Sequence, residues 1–197
     1  MPAAVEPGAE MTLGQLLALL TTAPEDRTGY DRSLFRHWID ADGDGCNTRR
    51  EVLITEAVVP PTVGGGCSLI GGRWVSLYDG LILTDASRLD IDHVVALGEA
   101  WDSGASAWSA DRRMRFANDM DVPWALIAVS AASNRSKSDE DPADWLPPDS
   151  DDLCPFVSAW IAVKVRWDLS VDQREREALS GIVTTCPSSR ITLPLAP

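Results

Sequence analysis

The stretch Leu89-Asp90-Ile91-Asp92-His93-Val94-Val95 decides how this chain is read. Its apolar and β-branched content predicts a strand, drawn here over Leu89 to Leu97. With a side-chain period of two, Asp90 and Asp92 share one face and His93 points to the other. A carboxylate can hold a divalent cation while a neutral imidazole beside it takes a proton from water. That is the division of labour which metal-assisted hydrolysis needs. Asp92 and His93 can serve one site only if the strand ends or bulges between them, and a loop at Gly98 would permit it. Taken alone, the run fits equally well a buried histidine bonded to a neighbouring carboxylate. The chain has one other histidine, His37, whose place beside Trp38 reads as packing.

Downstream, Ala110 to Asn118 predicts a helix, Trp124 to Ser130 an apolar strand, and Ala131 to Ser138 the start of a further helix. A Pro- and Asp-rich loop follows from Pro142 to Asp152. Phe156, Trp160, Val163 and Trp167 then fall on one helical face, which reads as core. Ser170 with Gln173 forms a capping-box pattern opening a last helix through Val183, and residues 187–197 read as a frayed tail. Upstream, Thr12 with Gln15 is another capping box. Leu13, Leu16, Leu17 and Leu20 follow at helical spacing until Pro24. Arg32 to Ile39 and Arg49 to Ala57 read as helical, and Arg73 to Tyr78 as a strand turned by Asp79-Gly80. The pattern predicts an α+β fold with a lead-in over residues 1–28, one domain over 29–186 and a tail after it.

The 197 residues carry 30 acidic and 17 basic side chains, a formal charge of −13. Nucleic-acid binding by the whole surface is therefore excluded, and any such chemistry must be local. Apolar runs are far too short to span a membrane. Cys46, Cys67, Cys154 and Cys186 form no C-x-x-C pair, which argues against structural zinc. Of three possible pairings, the order along the chain favours Cys46 with Cys67 and Cys154 with Cys186, since each closes a short loop. Disulfides imply an oxidising compartment. Met1 to Glu10 shows no signal peptide, so the expectation of export rests on the cysteines alone.

The run Ser133-Asn134-Arg135-Ser136-Lys137-Ser138-Asp139 gives a more specific lead. A D-x-D-H strand, a variable loop, an apolar strand and a helix opening with N-R-x-K resemble the ββα-metal core of the HNH endonucleases, including the HNH domain of CRISPR effector nucleases. The stretches YDRSLFRHW (30–38), CNTRREVL (46–53), LDIDHVVALGEAWDSGA (89–105), RFAND (115–119) and NRSKSDEDPADWLPP (134–148), with a downstream cysteine, resemble small, mostly exported bacterial HNH-family proteins. The resemblance implies Asp92 and Asn134 as metal ligands, His93 as general base and Lys137 near the scissile phosphate. Asp90 and Asn118 would support the site. It breaks at Ala125, where the family carries an Asn that braces the loop after the histidine. Asp141, Asp144 and Trp145 would anchor the loop after the metal helix.

The chemistry also stands without the family. One metal and one histidine supply the Lewis acid and the nucleophilic water that phosphodiester hydrolysis requires. A carboxylate and an amide carbonyl suit Mg²⁺, for which Mn²⁺ can substitute. Arg112, Arg113, Arg115, Arg135 and Lys137 would place positive charge around a DNA substrate, although the Arg trio also fits a solvated helix face. The expectation is a monomeric, metal-dependent DNA endonuclease with little base specificity. A phage or effector origin is left open. The competing reading is a non-catalytic, exported, calcium-stabilised binding module on a degenerate HNH core. For calcium, Asp40, Asp42, Asp44, Gly45 and Glu51 match the twelve-residue EF-hand loop at positions one, three, five, six and twelve. The alternative is a turn whose acids pair with Arg32, Arg49 or Arg50.

Overall fold

The computed structural model describes residues 10–194 and residue 196. The fold mixes helices with small antiparallel sheets, each of two strands among the described residues. Strand β1 (Glu10–Thr12) leads into α1 (Leu13–Leu17) through the capping box read from the sequence. Gln15 N donates to Thr12 Oγ1 at 3.1 Å and Thr12 N to Gln15 Oε1 at 2.9 Å. After a 3₁₀ turn at Arg32–Leu34 come α2 (Thr48–Thr55) and two hairpins. These are β2 (Thr62–Gly64) with β3 (Ser68–Ile70), and β4 (Trp74–Val75) with β5 (Ile82–Leu83). Then follow β6 (Leu89–His93), α3 (Leu97–Asp102), α4 (Ala110–Ala117), β7 (Leu126–Ser130), α5 (Ala131–Lys137), α6 (Leu153–Trp167), α7 (Gln173–Val183) and β8 (Arg190–Thr192).

The β6–β7 pair is the centre of the molecule. Its register sets Leu89 against Ser130, Ile91 against Ala128 and His93 against Leu126. Leu89, Ile91, Leu126 and Ala128 pack with Val52 and Leu53 of α2 and with Trp74 and Leu83. The other face, through Ile127 and Val129, joins a larger core that contains the α6 stripe Phe156, Trp160, Val163 and Trp167. Both disulfides take the favoured pairing, with Cα separations of 5.1 Å for Cys46–Cys67 and 5.7 Å for Cys154–Cys186.

Five expectations are corrected. Arg32 to Ile39 is not a helix: after the 3₁₀ turn the chain runs extended at Phe35 and Trp38 takes φ +58°, which no right-handed helix accommodates. The strand from Leu89 ends at His93, and the apolar run beyond it is used by α3. Gly98 lies inside that helix rather than in a loop, where a Cβ would come within 2.5 Å of Asp139 Oδ2. The last helix is capped by Asp172, which accepts from Glu175 N at 2.7 Å, and not by Ser170. Finally, the tail is not frayed: β8 pairs with β1, Glu10 opposite Thr192, and Leu193 is buried. Residues 1–9, 195 and 197, which the lead-in, leader and tail readings include, lie outside the described residues.

An ionic knot ties the helices together. Lys164 of α6 is fully buried and donates to Glu99 Oε1 of α3 and Glu175 Oε2 of α7, both at 2.6 Å. It also donates to Ser103 Oγ and the Ser170 carbonyl. Removing one partner of such a group strands charge in the interior. Lys164→Met is expected to lower stability by about 3–5 kcal/mol near neutral pH, and by less in acid, where the orphaned carboxylates take up protons. Denaturant melts at two pH values check this.

Candidate functional site

His93 closes β6 at the edge of the sheet. Its Nε2 lies 2.9 Å from the carbonyl oxygen of Ala117, at the end of α4. A carbonyl only accepts, so Nε2 carries the proton and Nδ1 keeps its lone pair. The ring is held between Trp38, 5.4 Å away and tilted 31°, and Phe116, 6.4 Å away and stacked. Nδ1 has no hydrogen-bond partner among the described residues, and no buried side-chain nitrogen or oxygen there is left unsatisfied. The residue as a whole is buried, with 5% of its surface exposed. Burial pushes the imidazole pKa down to about 3, so the ring is neutral at physiological pH.

The carboxylates of β6 face the other way, toward α5. Asp92 is buried and fully engaged: Tyr78 Oη donates to Oδ2 at 2.6 Å, and Lys137 Nζ lies 3.2 Å from Oδ1 and 3.0 Å from Oδ2. Burial nevertheless raises the Asp92 pKa, with Lys137 opposing. Lys137 also donates to the His93 carbonyl at 3.1 Å. It has no exposed surface, so it cannot contact a phosphate as the resemblance implied and is instead the internal counter-charge of Asp92. Asn134 Nδ2 donates to Asp90 Oδ2 at 3.3 Å, leaving the side-chain Oδ1 of Asn134 unengaged, and Arg135 lies 3.9 Å from the same Asp90 oxygen.

The strand does end at His93, yet Val94 N still donates to the Ala125 carbonyl, so pairing continues without a bulge. Asp92 and His93 accordingly stay on opposite faces. They share one electrostatic neighbourhood nonetheless, because Arg32 and Lys137 each act on both. On the α5 side Asp90 and the Asn134 side-chain amide lie together and have oxygen to offer a hard cation, while Asp92 is committed to Lys137 and Tyr78.

The arginines of α4 are consumed by the fold. Arg112 donates to the Trp167 carbonyl at 2.8 Å and covers the Trp108 ring. Arg113 donates to the carbonyls of Trp108, Ala105 and Leu34. Arg115 pairs with Asp111 on the surface. Arg112 and Arg113 thus serve the packing of the fold, and both remain half-buried. Asn118 is a brace: its Nδ2 donates to the Arg36 and Met114 carbonyls, and its Oδ1 accepts from Ile39 N and Thr48 Oγ1. Trp145 Nε1 reaches Ser136 Oγ of α5, anchoring the following loop.

In the acid-rich loop, carboxylate oxygens of Asp40, Asp42 and Asp44 lie within 4.8 Å of one another. Asp40 accepts from Gly43 N and Gly45 N, Asp42 from Asp44 N, and Asp44 from Cys46 N. The loop is thus closed by its own backbone. Burial and these three acids raise the Glu51 pKa, but Glu51 is not among the carboxylates that lie within 4.8 Å of one another. The helix expected before the loop is absent, and Arg49 donates to the Leu89 carbonyl instead of pairing with the acids.

Sequence reasoning missed the surroundings of His93. His37, read as simple packing, sits 6.4 Å from it ring to ring, edge on, with its own Nδ1 2.9 Å from the Phe35 carbonyl. Tyr78, which holds Asp92, was also missed. The available signal was numerical: a chain with two histidines brings them together.

The chain belongs to the family described as "GmrSD restriction endonucleases, C-terminal domain", a nuclease-type family whose pattern matches residues 67–182. A protein of Arthroderma benhamiae named "Uncharacterized secreted protein" is 43% identical over 176 residues, which is 89% of this chain and 85% of that one. That relative is fungal, whereas the motifs resembled bacterial proteins. No solved structure matches the chain.

The depressed His93 pKa fixes a pH dependence. Between about 6.5 and 3 the unfolded chain binds a proton at this position that the folded chain refuses, so stability falls as pH drops through that window. A His93→Gln variant keeps a donor for Ala117 and is expected to lose about 3 kcal/mol less between pH 7 and 4. Urea melts of both proteins across that range give the comparison.

Proposed function

We propose that the protein is a divalent-metal-dependent endonuclease that hydrolyses DNA phosphodiester bonds with little base specificity, on an HNH-type ββα-metal core formed by β6, β7 and α5. Membership of a nuclease-type family supports the class. The observation that carries the mechanism is the setting of His93, a neutral imidazole clamped between two rings, with one nitrogen fixed on a carbonyl and the other without a hydrogen-bond partner among the described residues. Nδ1 takes the proton of an attacking water. The Ala117 carbonyl then stabilises the imidazolium through Nε2–H. The negative charge of a bound phosphodiester raises the basicity of the ring above its desolvated value in the free protein. Bound Mg²⁺, or Mn²⁺ in its place, would supply Lewis-acid stabilisation of the phosphoryl oxygens. Asp90, Asp92 and Asn134 would hold it, Asp92 loosening its bond to Lys137.

Two disulfides and a relative named as secreted support action outside the cell. No helix among the described residues is long and apolar enough to cross a membrane.

Supercoiled plasmid is expected to be nicked or cut in Mg²⁺ and in Mn²⁺ but not in EDTA. His93→Ala is expected to fold and to lose about 10²–10⁴-fold in rate. Asn134→Ala should instead raise the metal concentration required. Full activity in a folded His93→Ala protein would overturn the assignment.

The gathered acids at Asp40, Asp42 and Asp44 favour a second reading as a calcium-stabilised, non-catalytic module. On that reading plasmid stays intact in every metal. Millimolar Ca²⁺ raises the Tm of chelator-stripped protein, and Asp42→Ala erases the rise. An unchanged Tm leaves the loop a self-closed turn.

A further inference from the structure

The chain has two histidines in 197 residues, and the fold brings them together. His37 and His93 lie 6.4 Å apart, ring centre to ring centre, with their planes crossing at 80°. Trp38 lies against both, 5.2 Å from His37 and 5.4 Å from His93. His37 stands before α2 and both hairpins, and outside residues 67–182 matched by the family pattern.

The two rings are anchored alike. His93 places Nε2 2.9 Å from the Ala117 carbonyl, and His37 places Nδ1 2.9 Å from the Phe35 carbonyl. A carbonyl only accepts, so each of these nitrogens carries a proton and the opposite one is left for exchange. That nitrogen is Nδ1 in His93 and Nε2 in His37, and neither has a hydrogen-bond partner among the described residues. The surroundings differ, however: His93 is buried and His37 half-buried. Burial, with a smaller contribution from charge on His37, keeps the proton off His93. Two ionisable groups in unlike settings let one site offer a base and an acid at the same pH.

His37 is held firmly. Phe35 is fully buried against Phe116 and Trp101. Asn118 Nδ2 donates to the Arg36 carbonyl and Asn118 Oδ1 accepts from Ile39 N, pinning the backbone on both sides of His37 and Trp38. Since Asn118 follows Ala117, the end of α4 fixes both the anchor of His93 and the segment that carries His37. Of the rings around His93, those of Trp38, Phe116 and His37, only the last titrates near neutral pH.

We propose that His37 is the general acid of the site, giving the proton on Nε2 to the ester oxygen that departs from the phosphodiester while His93 activates the attacking water. The proposal deepens the nuclease reading and rests on it for the reaction. The bond from the water oxygen to phosphorus forms as the bond from phosphorus to the departing oxygen breaks. One proton of the water goes to His93 Nδ1, the other stays on the new phosphate oxygen, and the His37 proton goes to the departing oxygen. His93 then releases its proton to solvent and His37 takes one up, which closes the cycle. Each transfer works at about 2.6–3.2 Å, and rings 6.4 Å apart are close enough for one phosphodiester to reach both.

The test uses the full chain and three DNA oligonucleotides. One is unmodified, and the others carry sulfur in place of the 3′ or the 5′ bridging oxygen at one linkage. A thiolate departs without needing a proton, so cleavage there does not call on a general acid. His37→Gln keeps a donor for the Phe35 carbonyl and is expected to keep its Tm. It should cut the ordinary linkage about 10²-fold or more slowly, yet cut one of the sulfur linkages within about tenfold of wild type. It should also lose the limb of the kcat profile on which rate falls as pH rises. The same contrast is read in His37→Asn, so a lowered Tm in one variant does not decide the matter. Equal losses on oxygen and sulfur linkages, or no loss on either, overturn the proposal while leaving the nuclease reading intact. Wild type that cuts none of the three in Mg²⁺ or Mn²⁺ overturns the nuclease reading, and the proposal with it.

Discussion

The chain contains two lysines, and both are fully buried against the same indole. Lys137 Nζ lies 5.9 Å and Lys164 Nζ 5.5 Å from the ring centre of Trp160, itself without exposed surface. Lys137 belongs to the β6 carboxylate and Lys164 to Glu99 and Glu175. Trp160 Nε1 completes the link by donating to Glu175. An ammonium leaves water only when carboxylates and carbonyls replace its hydration, so each lysine dictates where several acidic groups must sit. Helices α3, α6 and α7 are gathered by one of these groups, and α5 is locked to β6 by the other. The position of the candidate site relative to the helical half follows from that pair.

The same locking explains why the site is arranged on two sides of a strand. Lys137 and Tyr78 draw Asp92 inward, and the register with β7 runs on through Val94. His93 is thereby turned outward to a pocket of aromatic rings. The position where an Asn was expected, just before β7, is Ala125, and the chain after His93 is held by other means: the Ala125 backbone carbonyl accepts from Val94 N, and Lys137 donates to the His93 carbonyl. Asn118, at the end of α4, pins the separate 36–39 segment.

What could be read from the sequence was local and periodic. The Thr12–Gln15 box, the 156/160/163/167 stripe, the strand from Leu89, the apolar strand before Ala131 and the cysteine pairing follow from spacing, and the folded chain has them. The errors come where tertiary contacts override the local pattern. Arg32 to Ile39 has helical spacing of Phe35 and Trp38, but Trp38 gains more by covering His93 than by continuing a helix. Val94 to Leu97 is β-branched and apolar like the strand before it, yet the contact of Gly98 with Asp139 admits a helix. Burial of Lys137 could not be foreseen, because lysine is ordinarily exposed and its partners lie 44 and 45 residues away. The meeting of His37 with His93 is hidden for the same reason.

The pairing of β1 with β8 closes the chain on itself, Glu10 across from Thr192 and Thr12 across from Arg190. A domain that enters and leaves at one point can be spliced into a surface loop of another protein without being pulled open. A host need supply only two neighbouring attachment points, and the surroundings of His93 would be carried along unchanged.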